Sequence, residues 1–218
     1  VTARLGVDYY SLREINPSLV YCSITGYGQI GPEKDKAGHD VNYIAAAGVL
    51  DCIGSAEGPP VIPGVQLADL AGGMNAAIGV LLALLARNKT GKGQYVDISM
   101  SDAAMGLLPL VLNQFNQTGY VPKRGNSLLS HGYACYNTYE TADGRAVSIG
   151  ALEPKFWSAL CTHLGLEDYI PLQFDDSRRG EMKTEFARCF QKKTLAQWEQ
   201  ELSDLDVCCQ GVRTMEEA

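Results

Sequence analysis

The chain has 218 residues, of which 46% are hydrophobic and 20% charged, a balance typical of one or two globular domains. Its net charge of −7 argues against a nucleic-acid partner, because phosphate contacts need a surplus of Lys and Arg. The longest apolar run, near Leu81–Ala86, is closed by Arg87 and Asn88, so we expect no membrane-spanning segment. Seven scattered cysteines without a CxxC pair argue against a metal site and fit a reducing, cytoplasmic location.

The first part of the chain alternates helix and strand signals. Leu12–Asn16 has the pattern of a helix end, which Pro17 breaks, and Leu19–Ile24 is a β-rich run typical of a buried strand. This order predicts α/β layering. His39 and Asp40 stand where apolar residues begin to recur at helical spacing, so Asp40 is expected to be a helix N-cap or first-turn residue.

A second helix is predicted over Asp69–Ala86, with small residues early that let a helix approach other backbone closely. The turn Thr90–Gly93 contains Gly-Lys-Gly, but it lacks phosphate-loop spacing and precedes a strand, so we reject a phosphate loop. That strand is predicted over Gln94–Ser99, and another helix over Ser101–Gln117 with breaks at its glycine and proline.

The composition changes after a polar segment at Lys123–Ser130. A hairpin is predicted from Tyr136–Glu140 and Ala146–Ile149, which flank an Asp-Gly turn. Glu153 precedes a proline that suits a first helical turn, and an amphipathic stretch over Phe186–Leu202 predicts further helix. We therefore divide the chain into part of a large α/β domain (1–103), a helical and polar linker (104–135) and a small α+β domain (136–218).

Several separated motifs, taken together and in order, resemble CoA-transferase family III, the CaiB/BaiF type. They are Tyr21–Gly28 with Gly31-Pro32, the Gly38-His39-Asp40 helix start, Asp69 before a small-residue helix, and Thr90–Gln94 with Asp97 and Ser99. The resemblance implies a Rossmann-like large domain, present here in part, beside a smaller α+β domain. It also implies an interlocked homodimer in the complete protein, of which roughly the first quarter and a C-terminal part are absent here.

Within that family the sequence is most similar to the α-methylacyl-CoA racemase branch. That branch carries His and Asp at the positions of His39 and Asp69, and Glu at the position of Glu153, where transferases commonly differ at the first and third. The segments Gln173–Gly180 and Gln210–Val212 depart from the usual pattern, away from the expected chemistry.

The resemblance implies roles for five residues. His39 and Asp69 are the candidate acid–base pair for C2 of an acyl-CoA thioester, with Glu153 orienting His39. The backbone N–H of Asp40 is the candidate donor that stabilises the enolate oxygen, and Tyr43, one helical turn away, is expected to face the same substrate cleft. Burial is expected to raise the pKa of Asp69. The plainer alternatives are a helix cap for Asp69, a solvated helix start for Glu153, a loop position for His39 and core packing for Tyr43.

The favoured hypothesis is an acyl-CoA racemase or epimerase that inverts C2 of a 2-methylacyl-CoA by proton transfer, with no cofactor beyond the CoA of its substrate. The first alternative is a CoA-transferase, in which Asp69 attacks the thioester and forms a mixed anhydride. The second is a fragment that is inactive, or a binding or assembly module. One scaffold supports the first two chemistries, so fold does not separate them.

Overall fold

The structure is a computed structural model that describes residues 1–121 and 123–218. It divides into two compact units, one formed by Val1–Gly54 with Pro59–Val121, the other by Ser55–Gly58 with residues 123–218. Each unit is considered by itself. The sequence-based linker, 104–135, is thus distributed between the units, and Pro122 within it lies outside the described residues.

The first unit is built on a pair of parallel strands. Strand β1 (Val20–Thr25) pairs with β2 (Gln94–Ser99) in a register that runs from Val20 opposite Gln94 to Thr25 opposite Ser99. Parallel neighbours need a long crossover connection, and here the connection contains helices α2 (Asp40–Ala46) and α3 (Leu67–Thr90). The predicted α/β layering is confirmed, because α3 packs against both strands.

Three further helices complete this unit: α1 (Tyr9–Ile15), α4 (Met100–Met105) and α5 (Pro109–Thr118), with short 3₁₀ turns at Ala3–Leu5 and Leu50–Cys52. The predicted break in the Ser101–Gln117 helix is confirmed. Gly106 is the C-cap of α4, and Pro109 is the first residue of α5, where a missing N–H costs nothing. Helix α3 is longer than predicted, since it starts before Asp69 and runs past Ala86 to Gly91, its left-handed C-cap.

Glycines let α3 approach its neighbours as the sequence predicted. A Cβ added at Gly72 would lie 2.7 Å from Met100 Cγ, and one at Gly79 would lie 2.8 Å from Val96 Cγ1. Both distances are shorter than real Cβ atoms tolerate, so these two positions require glycine for the observed packing. Gly73 faces the other way, where an added Cβ would meet no heavy atom within 4 Å in the part of the chain that the structure describes.

The second unit is an α+β structure. Strands β3 (Tyr136–Glu140), β4 (Ala146–Gly150) and β5 (Cys209–Gly211) form an antiparallel sheet in the order β3-β4-β5. The predicted hairpin is confirmed. Helices α6 (Pro154–Leu164), α7 (Arg179–Phe190) and α8 (Leu195–Leu202), with a 3₁₀ segment at Glu167–Leu172, accompany the sheet.

Contacts between aromatic rings, some stacked and some tilted, contribute to the core of this unit. Trp157 lies against Phe186 with ring centroids 5.0 Å apart, and Phe190 contacts Trp198 at the same separation. The amphipathic stretch predicted over Phe186–Leu202 is divided between two helices, because α7 ends at Phe190 and α8 starts at Leu195. Thr194 and Gln197 form a capping box at the new start, a Thr-x-x-Gln signal that the apolar periodicity concealed.

Helix α3 is long and apolar enough, by length and composition alone, to cross a membrane. This departs from the expectation drawn from the sequence. A core helix of a soluble fold satisfies the same criteria. One face of α3 packs on the sheet and α4, whereas the opposite face exposes large apolar side chains: Leu70, Met74, Ile78, Leu81, Leu82 and Leu85.

Candidate functional site

The candidate site lies at the carboxyl edge of the parallel strands in the first unit. The C-terminus of α3 leads directly into the N-terminus of β2, so the N-terminus of α3 lies at the opposite edge, where β1 and β2 end. Ligands of open α/β sheets bind outside this edge. The loop that follows β1 is fastened there, because the N–H of Ser101 donates to Gly26 O at 2.9 Å and the N–H of Gln29 donates to Asp97 Oδ2 at 2.9 Å.

His39 occupies the N-cap position of α2 in an extended conformation (φ −129°, ψ 176°). Asp40 is therefore the first helical residue rather than the cap, which agrees with the first-turn option predicted for it. The N–H of His39 donates to Asn42 Oδ1 at 3.0 Å, which holds the backbone of the candidate base. His39 is exposed, so its imidazole is accessible to a substrate.

Tyr43 is part of the support beneath His39. Its side chain is buried, its hydroxyl donates to Gly38 O at 2.5 Å, and its ring stands edge-on to Tyr27. Burial, followed by the charges of Tyr27 and Asp69, raises the pKa of this hydroxyl. A Cβ at Gly26 would lie 2.2 Å from the Tyr43 ring, so that glycine makes room for it. These contacts fit the core-packing alternative, and a direct role in substrate binding stays a prediction.

The Asp40 side chain connects α2 to α3. Its Oδ1 accepts the N–H of Ala68 at 2.6 Å and the N–H of Asp69 at 3.1 Å. These amides belong to the second and third residues of α3, which have no intrahelical acceptor. One carboxylate oxygen thus joins the residue after His39 to the backbone of Asp69, and the candidate acid–base residues are held at adjoining helix starts.

Asp69 lies in the first turn of α3 and is exposed. The burial that we expected for Asp69 is therefore not found among the residues that the structure describes. Exposure leaves the carboxylate accessible, which suits either a proton donor that a bound substrate would cover or a nucleophile. The helix start also favours a negative charge at this position.

Glu153 lies in the second unit, as the N-cap of α6, and is exposed. The backbone before it is held by Gln173, a buried side chain whose amide donates to Ala151 O at 3.0 Å and Leu152 O at 2.9 Å. Neighbouring Cys208 has its pKa raised by burial and then by the Glu153 charge. The predicted pairing of Glu153 with His39, which lies in the first unit, stays a prediction.

Sequence reasoning missed two supporting residues. Asn42 follows His39 by three positions and accepts its N–H, a variant of the capping box in which Asn replaces the usual Glu or Gln. Gln173 fell in a segment noted only as a departure from the usual pattern of the family, and no local signal marks its contact with a carbonyl 22 positions earlier. Within the described residues, 1–121 and 123–218, no group of three or more His, Cys, Asp or Glu side chains could hold a metal ion.

The sequence matches CoA-transferase family III over residues 1–218. The chain belongs to this family. It is similar to α-methylacyl-CoA racemase of Mus musculus (38% identity over 220 residues, 100% of this chain and 58% of the relative). It is also similar to the human protein of that name (39% over 208 residues, 94% and 54%). Human succinyl-CoA:glutarate CoA-transferase is 33% identical over 192 residues, 88% of this chain and 42% of the relative.

Solved structures of the family agree with the fold. A CaiB/BaiF family protein from Brucella suis superposes with a TM-score of 0.84 at 28% identity, over 99% of this chain and 58% of that chain. A hypothetical protein from Mycobacterium tuberculosis gives 0.77 at 29% identity, over 99% and 59%. The chain therefore spans somewhat more than half the length of these relatives. The predicted family and α/β fold class are confirmed, whereas the interlocked homodimer and the cytoplasmic location stay predictions.

Proposed function

We propose that the complete protein is an acyl-CoA racemase or epimerase that inverts C2 of a 2-methylacyl-CoA thioester. The observation that carries the proposal is the Asp40 carboxylate, which hydrogen-bonds the start of α3 and so holds His39 and Asp69 at adjoining helix starts. The racemase names among the relatives support the same reaction.

The reaction needs two groups that exchange one proton with C2. One group, His39 or Asp69, takes the C2 proton, and the C–H electron pair moves into an enolate whose charge rests on the thioester oxygen. The other group then returns a proton to the opposite face of C2. The histidine side chain suits this task because its ordinary pKa, about 6.5, is close to neutral pH. No redox partner is consumed, and the only group required beyond the side chains is the CoA of the substrate.

Glu153 is proposed to orient His39 and to stabilise its charged form, as a carboxylate does in a triad. The alternative for this residue is a solvated helix start, which its exposed N-cap position also fits. Replacing Glu153 with Gln separates the two, because only an orienting carboxylate would make the variant lose C2 exchange.

A CoA-transferase is the second candidate, favoured by the exposed Asp69 carboxylate and by the transferase names among the relatives. A carboxylate oxygen of Asp69 would attack the thioester carbonyl, and CoA would leave as the thiolate. The mixed anhydride that remains on Asp69 is trapped by hydroxylamine or borohydride. Mass spectrometry of a trapped adduct on Asp69 supports the transferase, and the racemase forms none.

Deuterium exchange decides between the candidates. The complete protein is incubated with 2-methylacyl-CoA substrates of several chain lengths in D₂O, and deuterium at C2 is followed by mass spectrometry. A racemase incorporates deuterium, and His39→Ala lowers the rate at least about a hundredfold, the low end of general-base contributions. The control is His163→Ala in the second unit. Full exchange by His39→Ala, or CoA transfer to an added carboxylate without exchange, would contradict the proposal. The 218-residue chain is assayed alongside, since activity there would rule out an inactive piece.

A further inference from the structure

We infer that Asp40 is a positioning residue whose side-chain carboxylate sets the spacing between His39 and Asp69. The inference rests on the proposed function, but it concerns a bond from the Asp40 side chain to another helix, whereas the sequence pointed to the backbone N–H of Asp40 and to its place at the start of its own helix. Asp40 acts here through the two candidate acid–base residues rather than on substrate.

The geometry of the α3 start carries the inference. Helix N-caps normally satisfy the N–H groups of the second and third helical residues with their own side chain. Gln66, the N-cap of α3, makes no such bond within the part of the chain that the structure describes. Asp40 Oδ1 supplies it from another helix, at 2.6 Å to Ala68 N and 3.1 Å to Asp69 N. Such charge-assisted bonds are shorter and stronger than neutral ones.

The position of Asp40 gives this cap a consequence that an ordinary cap lacks. Asp40 follows His39 directly and is the first residue of α2. The N–H of His39 donates to the side chain of Asn42 in the same helix, which fixes the backbone of His39 at the helix start. The α3 amide at 3.1 Å from Asp40 belongs to Asp69 itself. Asp40 is covalently linked to His39 and hydrogen-bonded to the N–H of Asp69, so the backbones of His39 and Asp69 have little freedom to move relative to each other. A displacement of about 1 Å between reacting groups costs about a hundredfold in rate.

A second long-range cap in the same chain provides a matched control. Asp143, in the second unit, accepts the N–H of Leu195 at 3.2 Å and thereby caps α8 from a distant part of the sequence. Removing either carboxylate should lower the stability of the protein by a similar amount, because each one accepts a backbone N–H at the start of a helix. Only Asp40 adjoins both candidate acid–base residues, so only its removal should impair C2 exchange.

The experiment compares Asp40→Ala, Asp40→Asn and Asp143→Ala in the complete protein. We expect Asp40→Ala to lower kcat for C2 exchange by about thirty- to a hundredfold with little change in KM. Asp40→Asn should recover at least tenfold of that loss, because its side-chain oxygen accepts the same two N–H groups. Asp143→Ala should leave kcat unchanged. Hydrogen exchange of the peptide spanning 66–72 should quicken in Asp40→Ala alone.

Each outcome bears on a separate statement. Asp40→Ala with normal kcat, or Asp40→Asn as impaired as Asp40→Ala, would overturn the positioning role. Unchanged hydrogen exchange at the start of α3 would overturn the cap itself. A wild-type protein that shows no C2 exchange rejects the proposed function instead. The variants are then compared in CoA transfer, where Asp69 is the nucleophile and the same loss of kcat is expected.

Discussion

Gly79→Ala should destabilise the first unit, although alanine is the better helix former. In an exposed helix interior, replacing glycine with alanine gains about 1 kcal/mol. At Gly79 the new Cβ would stand 2.8 Å from Val96 Cγ1, inside the roughly 3.5–4.0 Å at which carbon atoms attract. Val96 is β-branched and held in β2, so it cannot rotate away freely. Overpacking of this kind costs about 1–3 kcal/mol, which leaves a net loss of about 0–2 kcal/mol.

Gly73→Ala is the matched control, because the same substitution in the same helix meets open space among the residues that the structure describes. It should raise the free energy of unfolding by about 0.5–1 kcal/mol. Urea denaturation of the complete protein, followed by circular dichroism, measures both variants. Adding Val96→Ala should relieve the clash, so the double variant should be more stable than the sum of the single changes predicts. If Gly79→Ala stabilises as much as Gly73→Ala, the proposed packing of α3 on β2 is wrong.

Three further predictions follow from individual contacts. Tyr43→Phe removes the donor to the part-buried Gly38 carbonyl and should cost about 1 kcal/mol in urea denaturation. Tyr139→Phe removes the donor to the buried Ala134 carbonyl and should cost about 1–3 kcal/mol, but only the former variant should also lower kcat. Hydrogen bonds from Arg178 and Tyr169 lower the pKa of Glu181 from 4.5 to about 2. The contribution of ionised Glu181 to the free energy of unfolding is therefore complete above pH 4.5 and is lost as the pH falls towards 2. Stability measured against pH should therefore decline less steeply over that range in Glu181→Gln. Burial raises the pKa of Cys161 to about 12, so alkylation at pH 8, read by mass spectrometry, should modify exposed Cys208 before Cys161.

The sequence by itself determined the elements that depend on local chemistry. The strand predicted over Gln94–Ser99 is observed with those bounds, and the hairpin strands differ by at most one residue. Alternation and turn residues act over a few positions, so a single sequence contains this information. The amphipathic pattern over Phe186–Leu202 did not show where one helix ends and the next begins, because two helices that pack on one core have the same apolar spacing; the capping residue Thr194 marks the break.

The sequence also pointed to His39 and Asp69, through motifs that resemble a family. Only the tertiary structure decided how the two are held. The bond from Asp40 to the start of α3 spans 28 and 29 positions, and the bonds from Gln173 to the segment before Glu153 span 22 and 21. Asp69 is exposed, although we expected burial. Contacts of this kind depend on which faces of distant elements meet, and that follows from the packing of the whole unit rather than from any local pattern of residues.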